Sequence, residues 1–156
     1  MTFEEPPDAD WDLERILTDV SDLAQSLPLG DSQAFLDRMA TARARCTNLC
    51  RGLPIPALQR RCVAYAEQRM QLVDEAEEYG LATDELIALS LVFADAPLVV
   101  APALQRGVVL LSNVLTEEKV PQQFARLLRQ LRALARQSGD SELRAWVDGV
   151  VRSLPD

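Results

Sequence analysis

The chain has 156 residues, of which 48% are hydrophobic and 26% charged, and its net charge is −8 at pH 7. This size and composition are typical of one globular domain and exclude a disordered chain, while the acidity argues against general attraction to nucleic acid or anionic membranes. The chain contains no histidine, which excludes nucleophiles activated by histidine and the helical metal motifs that contain it.

The N-terminal residues are acidic rather than basic, and no apolar stretch follows them, so they do not resemble a signal peptide. We expect residues 1–9, which include Pro6 and Pro7, to form a flexible arm ahead of one all-helical domain over residues 10–156. The three cysteines include no Cys-x-x-Cys pair and suit a reducing compartment. These features predict a cytoplasmic protein with no cofactor.

Apolar residues at spacings of three and four predict two helices in the first third of the chain. The first helix is capped by Asp10 or Asp12 and ends at Pro28. The second helix ends at the proline-containing break Gly52–Pro56.

The third helix is predicted over Pro56–Tyr79, with Gly80 as its C-terminal cap, and the next helix begins at Thr83. That next helix opens the most apolar part of the chain, Leu86–Leu115, in which only two residues are charged. Because a helix that is apolar on every side is normally buried, we expect it at the centre of the fold.

Pro97 and Pro102 interrupt this apolar stretch, which predicts a break at Asp95–Pro97 and a fifth helix that ends at Leu115. The same interruption leaves the stretch too short to span a membrane. Two amphipathic helices follow, and no segment alternates in the manner of a β-strand. The predicted fold is all-α, a single compact bundle of about seven helices wrapped around the central apolar helix; the alternative is a short α-solenoid of helical hairpins.

Charges segregate along the chain in alternating blocks. The net charges are −8, +5, −8 and +3 for residues 1–31, 32–71, 72–118 and 119–156. One interpretation is that neighbouring helices pair their charges within the fold. The alternative is that one block faces a partner, and the best candidate is the arginine face, which consists of Arg129, Arg132 and Arg136 on the sixth helix, opposite its apolar stripe.

The acidic blocks supply the other candidate partner contacts, namely Asp12, Asp19, Asp22, Asp74, Glu75 and Glu78. Glu75 and Glu78 also stand three apart, as magnesium-binding carboxylates do in helical nucleotide hydrolases, and Asp84 with Glu85 would then supply the facing pair. The competing interpretation is a solvated acidic patch.

Two smaller features have competing interpretations. Cys46, Cys50 and Cys62 are interpreted as buried thiols rather than metal ligands, because their spacing is not that of a zinc site. Asp95 either caps the helix that begins near Pro97 or forms a buried pair with Arg69, and we favour the cap.

The sequence therefore predicts a non-enzymatic protein-binding module of the inhibitor, immunity, chaperone or adaptor type, acting through acidic and arginine-rich helical faces. The acidic blocks would meet a basic surface of another protein, and the arginine face would be a second contact or a surface for homo-oligomer formation. The alternative is an all-helical hydrolase that depends on Mg²⁺ or Mn²⁺ and uses the carboxylate cluster. A nucleic-acid partner is disfavoured because the acidic blocks would repel its phosphates.

Overall fold

The computed structural model describes residues 7–26, 33–71, 78–116 and 120–153. Within these ranges the chain forms seven helices and no strand, which confirms the predicted all-α class. The helices are α1 (Pro7–Ser26), α2 (Gln33–Gly52), α3 (Ile55–Gln71), α4 (Glu78–Val92), α5 (Pro97–Ser112), α6 (Val120–Ser138) and α7 (Ser141–Ser153).

The apolar helix α4 is enclosed by its neighbours, as its sequence predicts. It contacts α1, α2, α3, α5 and α6, and Leu86, Ala88 and Leu89 on its different sides are all fully buried. Such enclosure removes apolar surface from water on every side of the helix, at about 25 cal/mol per Å². Despite this apolar character, no helix in the described ranges is long and apolar enough to cross a membrane.

The boundary between α3 and α4 differs from the prediction. Tyr79 and Gly80 lie in the first turn of α4, so the prediction that Gly80 caps the third helix was wrong. Residues 72–77, over which that helix was predicted to continue, lie outside the described residues. The prediction that the helix starts at Thr83 was also wrong, because α4 already includes Glu78. Thr83 lies within the helix and is fully buried. Glu78 explains the earlier start, because a carboxylate in the first turn interacts favourably with the helix dipole.

The break before α5 lies where the prolines predict it. Pro97 occupies the first turn of α5, but the N-cap residue is Ala96 and no side chain caps the helix, so the cap predicted for Asp95 was wrong. Pro102 lies inside α5 and has no N–H to donate to the carbonyl of Leu98, four residues earlier. The side-chain amide of Gln59 on α3 donates to that carbonyl at 2.9 Å instead.

Helices α4, α5 and α6 approach one another most closely at Gly107. A Cβ atom on this residue would lie 2.6 Å from Leu86 Cδ1 and 2.8 Å from Leu127 Cδ2. Both leucines are fully buried, so neither side chain has free space into which it can turn. The absence of a side chain at Gly107 therefore allows α5 to pack closely against Leu86 of α4 and Leu127 of α6.

We predict that Gly107→Ala lowers the free energy of unfolding by about 1–2 kcal/mol, because the added methyl group overpacks the core. Gly149→Ala is the matched control, since no atom lies within 4 Å of its added Cβ and alanine is preferred by about 0.5–1 kcal/mol within a helix. Urea denaturation of both variants measures the difference. Equal effects of the two substitutions would contradict close packing at Gly107.

Candidate functional site

Many of the segregated charges pair between helices inside the fold. Asp19 on α1 accepts a hydrogen bond from Arg45 on α2 at 2.6 Å, and Asp22 lies 4.0 Å from Arg38. Equivalent ion pairs join Glu67 to Arg106 and Asp84 to Arg126. The pairing of α1 with α2 supports internal complementarity for these two blocks, although each exposed pair contributes only about 0–1 kcal/mol.

Glu85 is the centre of a buried polar cluster that the sequence did not reveal. Its side chain is 5% exposed and lies 2.8 Å from Arg69 Nε. The Tyr65 hydroxyl donates to the same carboxylate at 3.0 Å, and the Ser21 hydroxyl donates to its other oxygen at 3.4 Å. The cluster joins α1, α3 and α4, and its Glu85 carboxylate engages the Arg69 side chain, so the alternative interpretation that paired Arg69 with Asp95 is also wrong.

A cleft of about 430 Å³ lies beside this cluster between α1 and α3. Tyr65, Gln68 and Arg69 are among its lining residues. The Glu85 carboxylate balances the charge of Arg69, and burial raises the pKa of Tyr65 above its usual value of 10.0, with a further contribution from the charge of Glu85. The hydroxyl of Tyr65 is therefore a donor to Glu85 rather than a base, and the cluster stabilises the helix packing.

The predicted carboxylate cluster is only partly described. Asp74 and Glu75 lie outside the described residues, and Asp12 lies in α1 with its side chain outside that description. Glu78 lies in the first turn of α4, while Asp84 and Glu85 are engaged by arginines. No group of three or more acidic or cysteine residues in the described ranges is arranged to hold a metal ion.

The three cysteines contain free thiols, of which Cys46 and Cys62 are buried and Cys50 is half-buried. This confirms the interpretation of Cys46 and Cys62 as buried thiols. Burial raises the pKa of Cys62 from its usual 9.0 to about 12, with a smaller contribution from Cys50. Burial also raises the pKa values of Cys46 and Cys50. These thiols are therefore poor nucleophiles near neutral pH.

The arginine face has no partner among the side chains that the structure describes. Arg129, Arg132 and Arg136 are exposed on α6, and across the described part of the chain no ion pair or hydrogen bond engages their side chains. Arg126, one turn earlier on the same helix, is paired with Asp84. Arg144 and Asp148 of α7 line a small groove together with Arg132 and Arg136, so α7 adds one cation and one carboxylate beside the arginine face.

An apolar groove adjoins the arginine face. Its volume is about 530 Å³, which lies within the range of about 300–1,000 Å³ that is common for binding clefts. Arg129 and Arg132 form part of its wall. The other lining residues are Leu115, Pro121, Phe124, Ala125, Leu128 and Val151. We call these six residues, together with the two arginines, the apolar groove.

The groove was not predicted, because its walls come from three separate segments. Helix α7 packs on α6 but leaves Val151 42% exposed. Phe124 and Leu128 lie on the apolar stripe of α6 and Val151 on that of α7, so periodicity alone places all three in the core. The prediction that the arginines lie opposite this stripe was wrong for Arg129 and Arg132, which lie beside Phe124 and Leu128 in the wall of the groove.

Comparison of the chain with protein-family models, with curated proteins and with solved structures gives no match. The inference of function therefore rests on the surface of the chain itself. Within the described residues, the arginine face and the apolar groove combine unpaired charge with accessible apolar area.

We predict that Glu85→Gln lowers the free energy of unfolding by about 1.5–3 kcal/mol, because the hydrogen bonds to a charged acceptor are lost and Arg69 loses its counter-charge. Arg69 is 35% exposed, so water compensates in part. Glu67→Gln is the control, since its pair with Arg106 is exposed, and we expect a change of about 0–1 kcal/mol. Equal losses in urea denaturation would contradict a structural role for the Glu85 cluster.

We predict that the thiols of the native protein react slowly with a disulfide reagent at pH 8, because burial keeps them protonated well above that pH. Cys50 should react before Cys46 and Cys62, since it is the half-buried member. All three thiols should react rapidly in denaturant. Fast reaction of all three in the folded protein would show that the α2–α3 contact is open to solvent.

Proposed function

We propose that the chain is a non-enzymatic protein-binding module, and that the arginine face is its principal contact. The observation that supports this is the set of exposed arginines that lack partners within the described ranges, on a chain whose net charge is −8. In most other described helices, at least one arginine is engaged by an acidic side chain or a backbone carbonyl.

Like charges held close together on one surface repel one another, and an acidic partner relieves that repulsion. Arginine suits this purpose because its planar guanidinium binds a carboxylate with two parallel hydrogen bonds. The partner surface that fits the arginine face is therefore acidic. This proposal reverses the order of importance suggested by the sequence, in which acidic contacts came first.

The acidic candidates remain a proposed second contact, toward a basic surface of the same partner. Asp19 and Asp22 contribute less free charge to this contact than their number suggests, because arginines of α2 partly balance them. Asp12, Asp74, Glu75 and Glu78 complete the candidate set. Association of two copies through the arginine face is the alternative mode of contact.

We also infer that the helices form one bundle around α4 rather than a solenoid. Contacts of α4 with α1, α2 and α6 support this inference, because a solenoid repeat would contact only its neighbours in the chain. The free thiols support a reducing cytoplasm as the proposed location. Neither inference is needed for the proposed contact.

Affinity capture of the tagged chain from its native host, with nuclease present, tests the proposed function. We expect one protein in near-stoichiometric amount at low salt and its loss at high salt, because ion pairs at an exposed contact are screened. Arg129→Gln with Arg132→Gln should abolish its recovery. The fold should remain intact, because no described residue pairs with either side chain.

Arg51→Gln with Arg60→Gln is the matched control for this capture. It removes the same charge from exposed arginines of α2 and α3 that also lack a described partner, and it should leave recovery unchanged. Equal recovery by the wild type and the Arg129–Arg132 variant would contradict the proposed contact. Failure to recover any protein would contradict the binding function itself.

A further inference from the structure

We infer that the apolar groove binds an amphipathic helical segment of the partner, which carries acidic residues beside apolar ones. This inference rests on the proposed function and specifies the chemistry of its partner. It is based on the continuity between the arginine face and the apolar groove, which share Arg129 and Arg132.

The lining of the groove requires apolar side chains from the occupant. Apart from the two arginines, the lining residues are aliphatic, aromatic or proline. Ala125 and Pro121 are exposed on α6, and Val151 is 42% exposed on α7. An occupant with apolar side chains is stabilised by removing this apolar surface from water, and a purely polar occupant would not be.

The arginine face beside the groove requires carboxylates of the occupant at a definite spacing. Arg129, Arg132 and Arg136 are three and four residues apart on α6 and extend over about 10 Å of the helix axis. A second helix lying along α6 presents residues at the same spacing on one side. Acidic residues three or four apart on that side would face the arginines, while the adjacent side fills the apolar groove, as in helix-in-groove recognition.

The combination distinguishes this occupant from others. A nucleic acid would supply the negative charge but no apolar side chains for the groove, and the net charge of −8 would oppose its approach. A second copy joined through the same face would place its own Arg129 and Arg132 against these arginines, and the like charges would repel. An acidic amphipathic helix supplies both the charge and the apolar residues within a single short segment.

Selection from a display library of random peptides of about 16 residues, or four helical turns, on the immobilised full chain tests the inference. We expect enriched peptides to carry Asp or Glu three or four residues apart together with Leu, Ile, Phe or Met on the adjacent side. Fluorescence anisotropy of the enriched peptides then gives their affinities for the wild type and its variants.

Ala125→Trp fills the apolar groove without changing any charge, and we expect it to weaken peptide binding by about tenfold or more. Ala34→Trp is the matched control, an exposed alanine of α2 that lies on neither the groove nor the arginine face, and it should leave the affinity within about twofold. Arg129→Gln with Arg132→Gln should weaken binding as strongly as Ala125→Trp.

Each other result overturns the inference in a recognisable way. Peptides that need the arginines but bind Ala125→Trp normally would leave the proposed function standing and remove the groove from it. Enrichment of peptides without acidic residues, or no enrichment, would exclude an acidic helix as occupant. A dimer in light scattering that becomes monomeric in Ala125→Trp would identify a second copy as the occupant.

Discussion

The enclosure of α4 is the constraint on which the rest of the structure depends. Because residues 86–92 of this helix are apolar apart from Ser90, the contacting helices α1, α2, α3, α5 and α6 direct apolar side chains toward it. Their outer surfaces then lie side by side, which allows Asp19 to meet Arg45 and Asp84 to meet Arg126. The arginine face lies where this pairing ends, on the outer side of α6.

Glu85 shows how one buried charge can fix the arrangement of several helices. Its carboxylate is engaged by groups from α1 and α3, so a shift of either helix would leave a buried charge without partners. Gly107 fixes the neighbouring side of α4 by steric means, through its close approach to Leu86 and Leu127. The ion pair and hydrogen bonds of Glu85 and the close packing at Leu86 therefore hold α4 in a defined position.

Helix periodicity and proline positions predicted the all-α class and most boundaries, because both act locally along the chain. The start of α4 was misplaced because Gly80 is also a common C-terminal cap, and nothing local distinguishes that role from a place in a first turn. The pair of Arg69 with Glu85 and the apolar groove arise from tertiary packing between distant segments. The exposed arginines of α6 were identifiable from spacing, whereas their lack of partners required the positions of the other helices.

The most direct measurement of the central claim is photo-cross-linking in the native host, with a photoreactive amino acid at Ala125 in the groove or at Ala34 on the exposed surface of α2. We expect a cross-linked protein from position 125 but not from position 34, and the attached peptide should be acidic and amphipathic. Arg129→Gln with Arg132→Gln should remove that product. Cross-linking from position 34 alone would place the binding surface on α2 and contradict a role for the arginine face.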